Sequence, residues 1–337
     1  MAASVIVVSS QFDGTWPFAA DHFHALWKKE GDVDFVRLSP TDERPLGDIV
    51  SQPSGIRRLV VLGVRLTELC LSRMNSLREV AFVGENVSVR NACAARHIRV
   101  YQHTSEGFWG ESVAEFALAL TLCVLRRIPQ LHDEIIRDQK PWNYSPPNGV
   151  GTPGARGGQY GDDSRFTNGT LSGKRVRIVG AGNIGSRMAS WAHVMGADVA
   201  VWDPKASDPC FHRAAARREY HLDRLVRDAE IFLPMLPLTD ATRGIVKAEH
   251  INALPKGCLV VMVTRAAICD MPTVRRRVLA DEIALAADVF DVEPLGLDDP
   301  LLGRHNVIHT PHNAGRTQQA NEQWAEMLAA QFSPVQH

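Results

Sequence analysis

The chain carries almost no net charge: 37 basic residues stand against 38 acidic ones, for a formal charge of −1. No dense run of Lys and Arg breaks that balance, so there is no electrostatic ground for a nucleic-acid or anionic-membrane partner. A long apolar run at the start is missing too. The N-terminal stretch MAASVIVVSSQFDG is too short in apolar residues to span a bilayer and lacks the basic start of a signal peptide. A soluble cytoplasmic protein is therefore expected. The six cysteines, at 70, 93, 123, 210, 258 and 269, form no CxxC and sit in contexts such as TLCVL and GCLVV. They read as reduced core residues rather than disulfide or metal partners, and no metal site is expected. At 337 residues the chain exceeds one comfortable core, so about two domains are expected.

Against these absences, Arg175 to Asp203 is dense with signal. The run RVRIVGAGNIGSRMASWAHVMGADVAVWD reads as strand, glycine turn, helix, strand. Val176, Ile178 and Val179 lead into Gly180-Ala181-Gly182-Asn183-Ile184-Gly185, and helical spacing follows through Ile184, Met188, Trp191, Ala192 and Met195 until Gly196 closes the helix. Gly180 permits the tight turn, Gly182 lets backbone approach a pyrophosphate, and Gly185 lets helix and strand pack closely. The helix start offers free N–H groups and a positive dipole end. Asp203 stands where such a fingerprint places an acid for the adenosine ribose hydroxyls. A carboxylate there would repel a 2′-phosphate, which favours NAD over NADP.

Before this stretch, residues 1 to about 102 alternate strands (Ser4–Val8, Val33–Leu38, Leu59–Leu62, Val80–Val83, Ile98–Tyr101) with helices near Phe18–Lys29, Leu66–Met74 and Arg90–Arg96. Short runs of this kind suit strands buried on both faces. Val83 and Gly84 fall just past the fourth strand, where open α/β sheets bind ligands. On local evidence alone Gly84 reads equally well as a plain turn glycine. Glu111–Arg137 is one long apolar helical pattern that Pro129 should break near Leu125 to Ile128. Its apolar surface is broad enough to lie between domains or against a second subunit. Residues 141–170 hold seven glycines and four prolines without any period, and read as a mobile surface loop, with a lid as the sharper alternative. From Leu171 a second alternation follows, with strands at Ile231–Met235, Cys258–Val263 and Ala284–Val289 and helices near Leu222–Arg227 and Met271–Leu279. The tail, Thr317–Phe332, is helical in spacing and is expected to pack on the first domain.

Three polar residues stand at expected strand ends: Arg265 after CLVVMVT, Glu293 after ALAADVFDV, His312 after VIHTP. Each has a plain explanation alone, as a surface cation, a loop carboxylate or a structural imidazole. Together on one sheet edge they are the parts for hydride transfer to a ketone. Arg offers a planar fork for a carboxylate or carbonyl oxygen, and His offers a proton near working pH, its charged form favoured by a neighbouring Glu.

At this point the chain resembles the NAD-dependent D-isomer-specific 2-hydroxyacid dehydrogenases over nearly its whole length. The segments that carry the resemblance are SVAEFALAL at 112–120, LSGKRVRIVGAGNIG at 171–185, LPLTDATRGIV at 236–246, TRAAICD at 264–270, DVFDVEPL at 288–295 and TPHNAG at 310–315. The resemblance implies an α/β protein of two doubly wound parallel-sheet domains with a cleft between them. One is a flavodoxin-like substrate domain (1–102 plus 316–337), the other a Rossmann NAD-binding domain (103–315). It implies that Arg265 orients the substrate, that His312 is the acid/base and that Glu293 raises the imidazole's basicity. Val83 and Gly84 would bind the substrate carboxylate by their backbone. Pro237, Thr264 and Asp288 would join Gly180, Gly182, Asn183, Ile184, Gly185 and Asp203 around NAD, and the long helix after the crossover would make a homodimer contact.

The departures bear on substrate. Met262-Val263-Thr264-Arg265-Ala266 stands where the family usually has Asn-x-Ala/Ser-Arg-Gly, and Phe82-Val83-Gly84-Glu85-Asn86-Val87 replaces the usual Gly-x-Gly-x-Asp-Asn. Phe82, Phe108 and Trp109 are the candidates for shaping an unusual pocket. The activity expected is hydride transfer between NAD(H) and C2 of a small-molecule 2-oxo or 2-hydroxy acid, D-specific by resemblance. The alternatives are a phosphite or phosphonate-substrate dehydrogenase on the same scaffold, or an NADH-sensing, corepressor-like binding protein.

Overall fold

The computed structural model describes residues 3–334 apart from 43, 51, 85, 104–106, 148 and 150. Glu85, within the substrate-loop stretch singled out above, therefore lies outside the described residues. The chain divides into two compact units, one of Met1–Phe108 with Arg316–His337 and one of Trp109–Gly315.

The first unit is a five-stranded parallel sheet of β1 (Ser4–Val8), β2 (Val33–Arg37), β3 (Arg58–Leu62), β4 (Glu79–Phe82) and β5 (Arg99–Tyr101), in the order β2-β1-β3-β4-β5. That order is the flavodoxin-like one. β1, β3 and β4 are buried along their whole length, as the unbroken apolar runs require. Polar residues at their starts are paired: Arg58 donates to Glu30 at 2.8 Å, and Glu79 accepts from the Tyr101 hydroxyl at 2.8 Å. The helix Gln318–Ala329, from the C-terminal tail, packs on the helix Ala19–Lys28. The Trp324 ring lies tilted 5.3 Å from Phe12 and 5.6 Å from Trp16, and Phe332 lies 4.9 Å from Trp27.

The second unit is a seven-stranded parallel sheet of β6 (Arg175–Val179), β7 (Asp198–Trp202), β8 (Arg217–Glu219), β9 (Ile231–Pro234), β10 (Leu259–Met262), β11 (Ala284–Ala287) and β12 (Val307–His309). The order β12-β11-β10-β9-β6-β7-β8 sets β6 between β7 and β9, so the winding reverses there. Ligands of open α/β sheets bind beyond the strand ends at such a reversal. One buried cation sits in the middle of β6. Arg177 is 1% exposed and holds the Asp228 carboxylate by two bonds of 2.8 and 2.6 Å, the Asp198 carboxylate by one of 2.9 Å and the Asp198 carbonyl by one of 2.8 Å, which ties β6 to β7 and to the turn before β9.

The helix Gly110–Leu125 packs on β10, β11, β12 and the helix Asn183–Val194. With the turn before it, this segment is long and apolar enough to cross a membrane by length and composition, yet here its apolar residues fill the core of the unit. The helix ends where Pro129 demanded. Arg127 takes a left-handed conformation (φ 48°), and a second helix, Ile128–Arg137, starts with Pro129 in its first turn, where a missing N–H costs nothing.

Several short elements carried no readable sequence signal, the helices Ser10–Thr15 and Leu46–Ile49 among them. β8 is an edge strand of three residues, Arg-Arg-Glu, bonded to β7 alone, and the helices Asp208–Ala214 and Ala248–Ala253 are too short for a period. The described residues of the 141–170 stretch form turns and tethers rather than periodic structure. Two 3₁₀ turns, Lys140–Trp142 and Gly158–Tyr160, lie close together because Gly157 and Gly158 bring backbone against the carbonyls of Asn143 and Lys140. Arg127 donates to the Gly161 carbonyl at 2.7 Å, Arg156 pairs with Asp162 at 2.6 Å, and Phe166 is buried.

Candidate active site

The glycine turn after β6 has the shape its sequence demands. Gly180 sits at φ 110°, where a Cβ would lie 2.9 Å from the Met235 carbonyl oxygen, and a Cβ on Gly185 would strike the Gly180 carbonyl. Gly182 faces open space, with nothing within 4 Å of its Cβ position. It caps the helix Asn183–Val194 without any side-chain bond. Among the described residues the N–H groups of Gly182, Asn183 and Ile184 have no acceptor within the protein. Close packing on one side, open space and free donors on the other, make a cradle that fits a dinucleotide pyrophosphate.

Asp203, just past β7, braces this turn. Its Oδ2 accepts from the Ala181 N–H at 2.9 Å, and its Oδ1 accepts from the N–H groups of Lys205 and Ala206 at 2.9 and 3.0 Å. Oδ2, with one donor, retains a lone pair for a ribose hydroxyl, whereas Oδ1 already accepts two N–H groups. Pro237 is exposed beyond β9, and its carbonyl accepts from the Thr242 hydroxyl at 2.6 Å.

Arg265 follows β10 as an exposed residue and donates to the Thr264 carbonyl at 2.7 Å. Thr264 itself is buried, and its hydroxyl donates to the Pro234 carbonyl at 3.1 Å. Thr264 thus couples the ends of β9 and β10 and presents no hydroxyl outward. Ala266, where a glycine is usual in the resembling family, is buried and opens a 3₁₀ turn, Ala266–Ile268, in ordinary backbone angles.

The loops after β11 and β12 meet. His312 Nδ1 and Glu293 Oε2 lie 2.7 Å apart, and the other Glu293 oxygen accepts from the Phe290 N–H at 2.7 Å. A carboxylate only accepts, so Nδ1 is the donor and Nε2 is left to face outward. His312 holds a left-handed backbone (φ 52°), unusual for a side chain with a Cβ. Asp288 explains how that loop is held. Fully buried at the end of β11, its carboxylate accepts from the Thr310 hydroxyl at 2.6 Å and from the N–H groups of Asn313 and Ala314 at 3.0 and 2.8 Å. Asp288, expected to join the cofactor site, has its carboxylate turned to the loop on either side of His312.

The sheet is parallel throughout, so Arg265, Glu293 and His312 follow three neighbouring strands on the same edge as the glycine turn. Only His312 and Glu293 touch. Sequence reasoning missed Thr310 and Ser112, whose hydroxyl donates to the Ala314 carbonyl at 2.5 Å. Neither hydroxyl carries a local signal that marks it.

In the first unit, Val83 is 50% exposed just after β4 and Gly84 takes φ 89°, while Asn86 caps the helix Val87–Ala95 by accepting from the Val89 N–H at 3.2 Å. Phe82 and Phe108 are both buried. Phe82 is buried in the core of that unit, and Phe108 sits 4.9 Å from the His103 ring and 5.5 Å from Trp16. Trp109 belongs to the second unit, its ring pressed against Gly315, which has no Cβ to obstruct it.

A sequence profile described as D-isomer specific 2-hydroxyacid dehydrogenase, NAD binding domain, matches residues 118–314. The glyoxylate reductase of Aeropyrum pernix is 28% identical over 258 residues, covering 76% of this chain and 72% of that protein. The D-3-phosphoglycerate dehydrogenase of Methanocaldococcus jannaschii is 26% identical over 274 residues, 81% of this chain and 48% of that one, so the chain spans about half the length of this relative. The solved structure of a phosphoglycerate oxidoreductase from Rhizobium etli shares the fold, with a TM-score of 0.71 at 20% identity, covering 96% of this chain and 91% of the other. Since the profile match takes in more than half of the chain, from the helix after the crossover through the glycine turn to the loop of His312, the chain belongs to the D-isomer specific 2-hydroxyacid dehydrogenase family, with NAD as its cofactor.

Proposed function

We propose that the protein interconverts a 2-oxo acid and its D-2-hydroxy acid, with His312 as acid/base. Bound NAD(H), lying on the Gly180–Gly185 turn, supplies or accepts the hydride at C2. His312 gives its Nε2 proton to the carbonyl oxygen in reduction and takes it back from the hydroxyl in oxidation. Glu293 holds the imidazole by Nδ1, which fixes the ring orientation. Arg265 holds the substrate carboxylate and steadies negative charge developing on the carbonyl oxygen. The Val83–Gly84 backbone is assigned to the substrate carboxylate as well. The single observation that carries this reading is the 2.7 Å contact of His312 Nδ1 with Glu293 Oε2, on the strand edge that also bears Arg265.

The test is a substrate panel. NADH oxidation should proceed with at least one of glyoxylate, hydroxypyruvate, pyruvate and phenylpyruvate. Turnover confined to phosphonopyruvate, or NAD reduction by phosphite, would move the protein to the phosphonate or phosphite reading. Tight NADH binding with no turnover on any of these would make it a sensing protein. We propose in addition a homodimer formed through the helices Gly110–Leu125 and Ile128–Arg137. Ile128, Ile135 and Ile136 of the second helix are 50, 43 and 70% exposed, apolar surface that a second subunit would cover. Light scattering that returned the monomer mass at micromolar concentration would contradict it.

A further inference from the structure

The dinucleotide turn carries one cation that the reading above leaves unused. Arg187 lies one helical turn past Asn183 in the helix Asn183–Val194, and its Nη1 donates back to the Asn183 carbonyl at 2.8 Å. Helical side chains lean toward the N-terminus, so this guanidinium covers the first turn of the helix. Among the described residues that carbonyl is its one hydrogen-bond partner, and no carboxylate pairs with it. The neighbouring Arg213, by contrast, is held by the Ser186 hydroxyl at 2.9 Å.

A second observation fixes where the guanidinium sits. A Cβ built on Gly110, the first residue of the helix Gly110–Leu125, would lie 3.0 Å from Arg187 Nη1 and 3.2 Å from Asn183 Cβ. Both are tighter than ordinary contact, so the missing side chain at 110 is what leaves room for the arginine. The starts of two helices therefore converge on Arg187, and neither has a side-chain cap. Helix starts carry positive potential and disfavour cations. An unpaired arginine between two of them has the wrong sign unless an anion completes the arrangement. The pyrophosphate of a dinucleotide, with two negative charges, is the anion that a glycine turn of this kind places at the helix start.

We propose that Arg187 is a cofactor-binding residue: its guanidinium leaves the Asn183 carbonyl to pair with the dinucleotide pyrophosphate, in space that Gly110 keeps open. The proposal rests on NAD lying at the Gly180–Gly185 turn. It is tested by titrating the purified protein with NADH, followed by ligand fluorescence, and with ADP-ribose, followed by calorimetry. Arg187→Ala and Arg187→Gln should each weaken both ligands about tenfold or more, with an unchanged melting temperature and a shallower salt dependence of Kd. Arg187→Lys should recover part of the loss, since it restores the charge without the planar fork. Gly110→Ala should weaken binding in the same way. Affinities within about twofold of wild type for the Ala and Gln variants would overturn the proposal, and so would a loss seen with NADH but not with ADP-ribose, which lacks the nicotinamide. A wild-type protein that bound neither ligand would sink the dinucleotide reading itself and the proposal with it.

Discussion

Asp288 accepts the Thr310 hydroxyl at 2.6 Å and the Asn313 and Ala314 N–H groups at 3.0 and 2.8 Å, so one buried carboxylate clamps the loop on both sides of His312. These bonds go to a charged group, each worth about 1.5–3 kcal/mol. They offset the left-handed backbone of His312, which costs on the order of 1–3 kcal/mol. Asp288→Asn keeps the shape but turns one acceptor oxygen into a donor that faces donors. We expect kcat to fall about 10–100-fold while the Kd for NADH stays within about threefold. Lost NADH affinity with kcat preserved would instead make Asp288 a cofactor residue.

The fingerprint glycines should separate by physical role. Gly182 faces open space, so Gly182→Ala should fold with a stability change below about 0.5 kcal/mol and yet lose NADH affinity at least about tenfold, because its methyl stands where the pyrophosphate belongs. Gly185 abuts the Gly180 carbonyl, so Gly185→Ala should cost about 1–3 kcal/mol of stability in addition. Chemical denaturation and NADH titration of the two variants side by side check this. Equal stability losses would mean the helix packs less closely on its strand than the structure has it.

How much of this was legible beforehand follows from which signals are local. The two doubly wound sheets could be read because β1, β3 and β10 carry short apolar runs, and the glycine turn because its residues are contiguous. The strand-end residues Arg265, Glu293 and His312 could be named for the same reason. What no window of sequence contains is how they are held. The clamp on His312 joins residues 22 to 26 positions apart, and a buried aspartate is indistinguishable from an exposed one until the strand beneath it is placed. The burial of Phe82 was equally hidden, because a bulky side chain at a strand end points into the core or out of it by a single residue of register.

The acid response should trace to His103. Its ring lies 4.9 Å from Phe108 and 4.8 Å from Trp324, and neither ring nitrogen has a hydrogen-bond partner among the described residues. Burial pushes its pKa below the ordinary histidine value. The unfolded chain therefore takes up a proton near pH 6.5 that the folded chain still refuses, so stability falls as pH drops through that value and keeps falling until the lower folded pKa is reached. The slope attributable to this group is at most about 1.4 kcal/mol per pH unit. Urea denaturation at pH 8 and pH 5.5 should show a smaller loss for His103→Phe than for wild type. Identical losses would place the acid sensitivity elsewhere.

Arg177 should be among the costliest single residues of the second unit. Arg177→Ala removes bonds to Asp198 and Asp228 and leaves a hole in the middle of β6, for an expected loss of about 2–4 kcal/mol measured by denaturation. Because both aspartates reach solvent, the double variant with Asp228→Asn should be little worse than the arginine change alone.

The account turns on His312 as the group that moves the proton. The most direct measurement is the turnover of His312→Ala with whichever 2-oxo acid the wild type reduces, alongside its NADH affinity. We predict that kcat falls by at least about 10²-fold while the Kd for NADH changes less than about threefold. A variant that kept a near-normal rate would contradict the account.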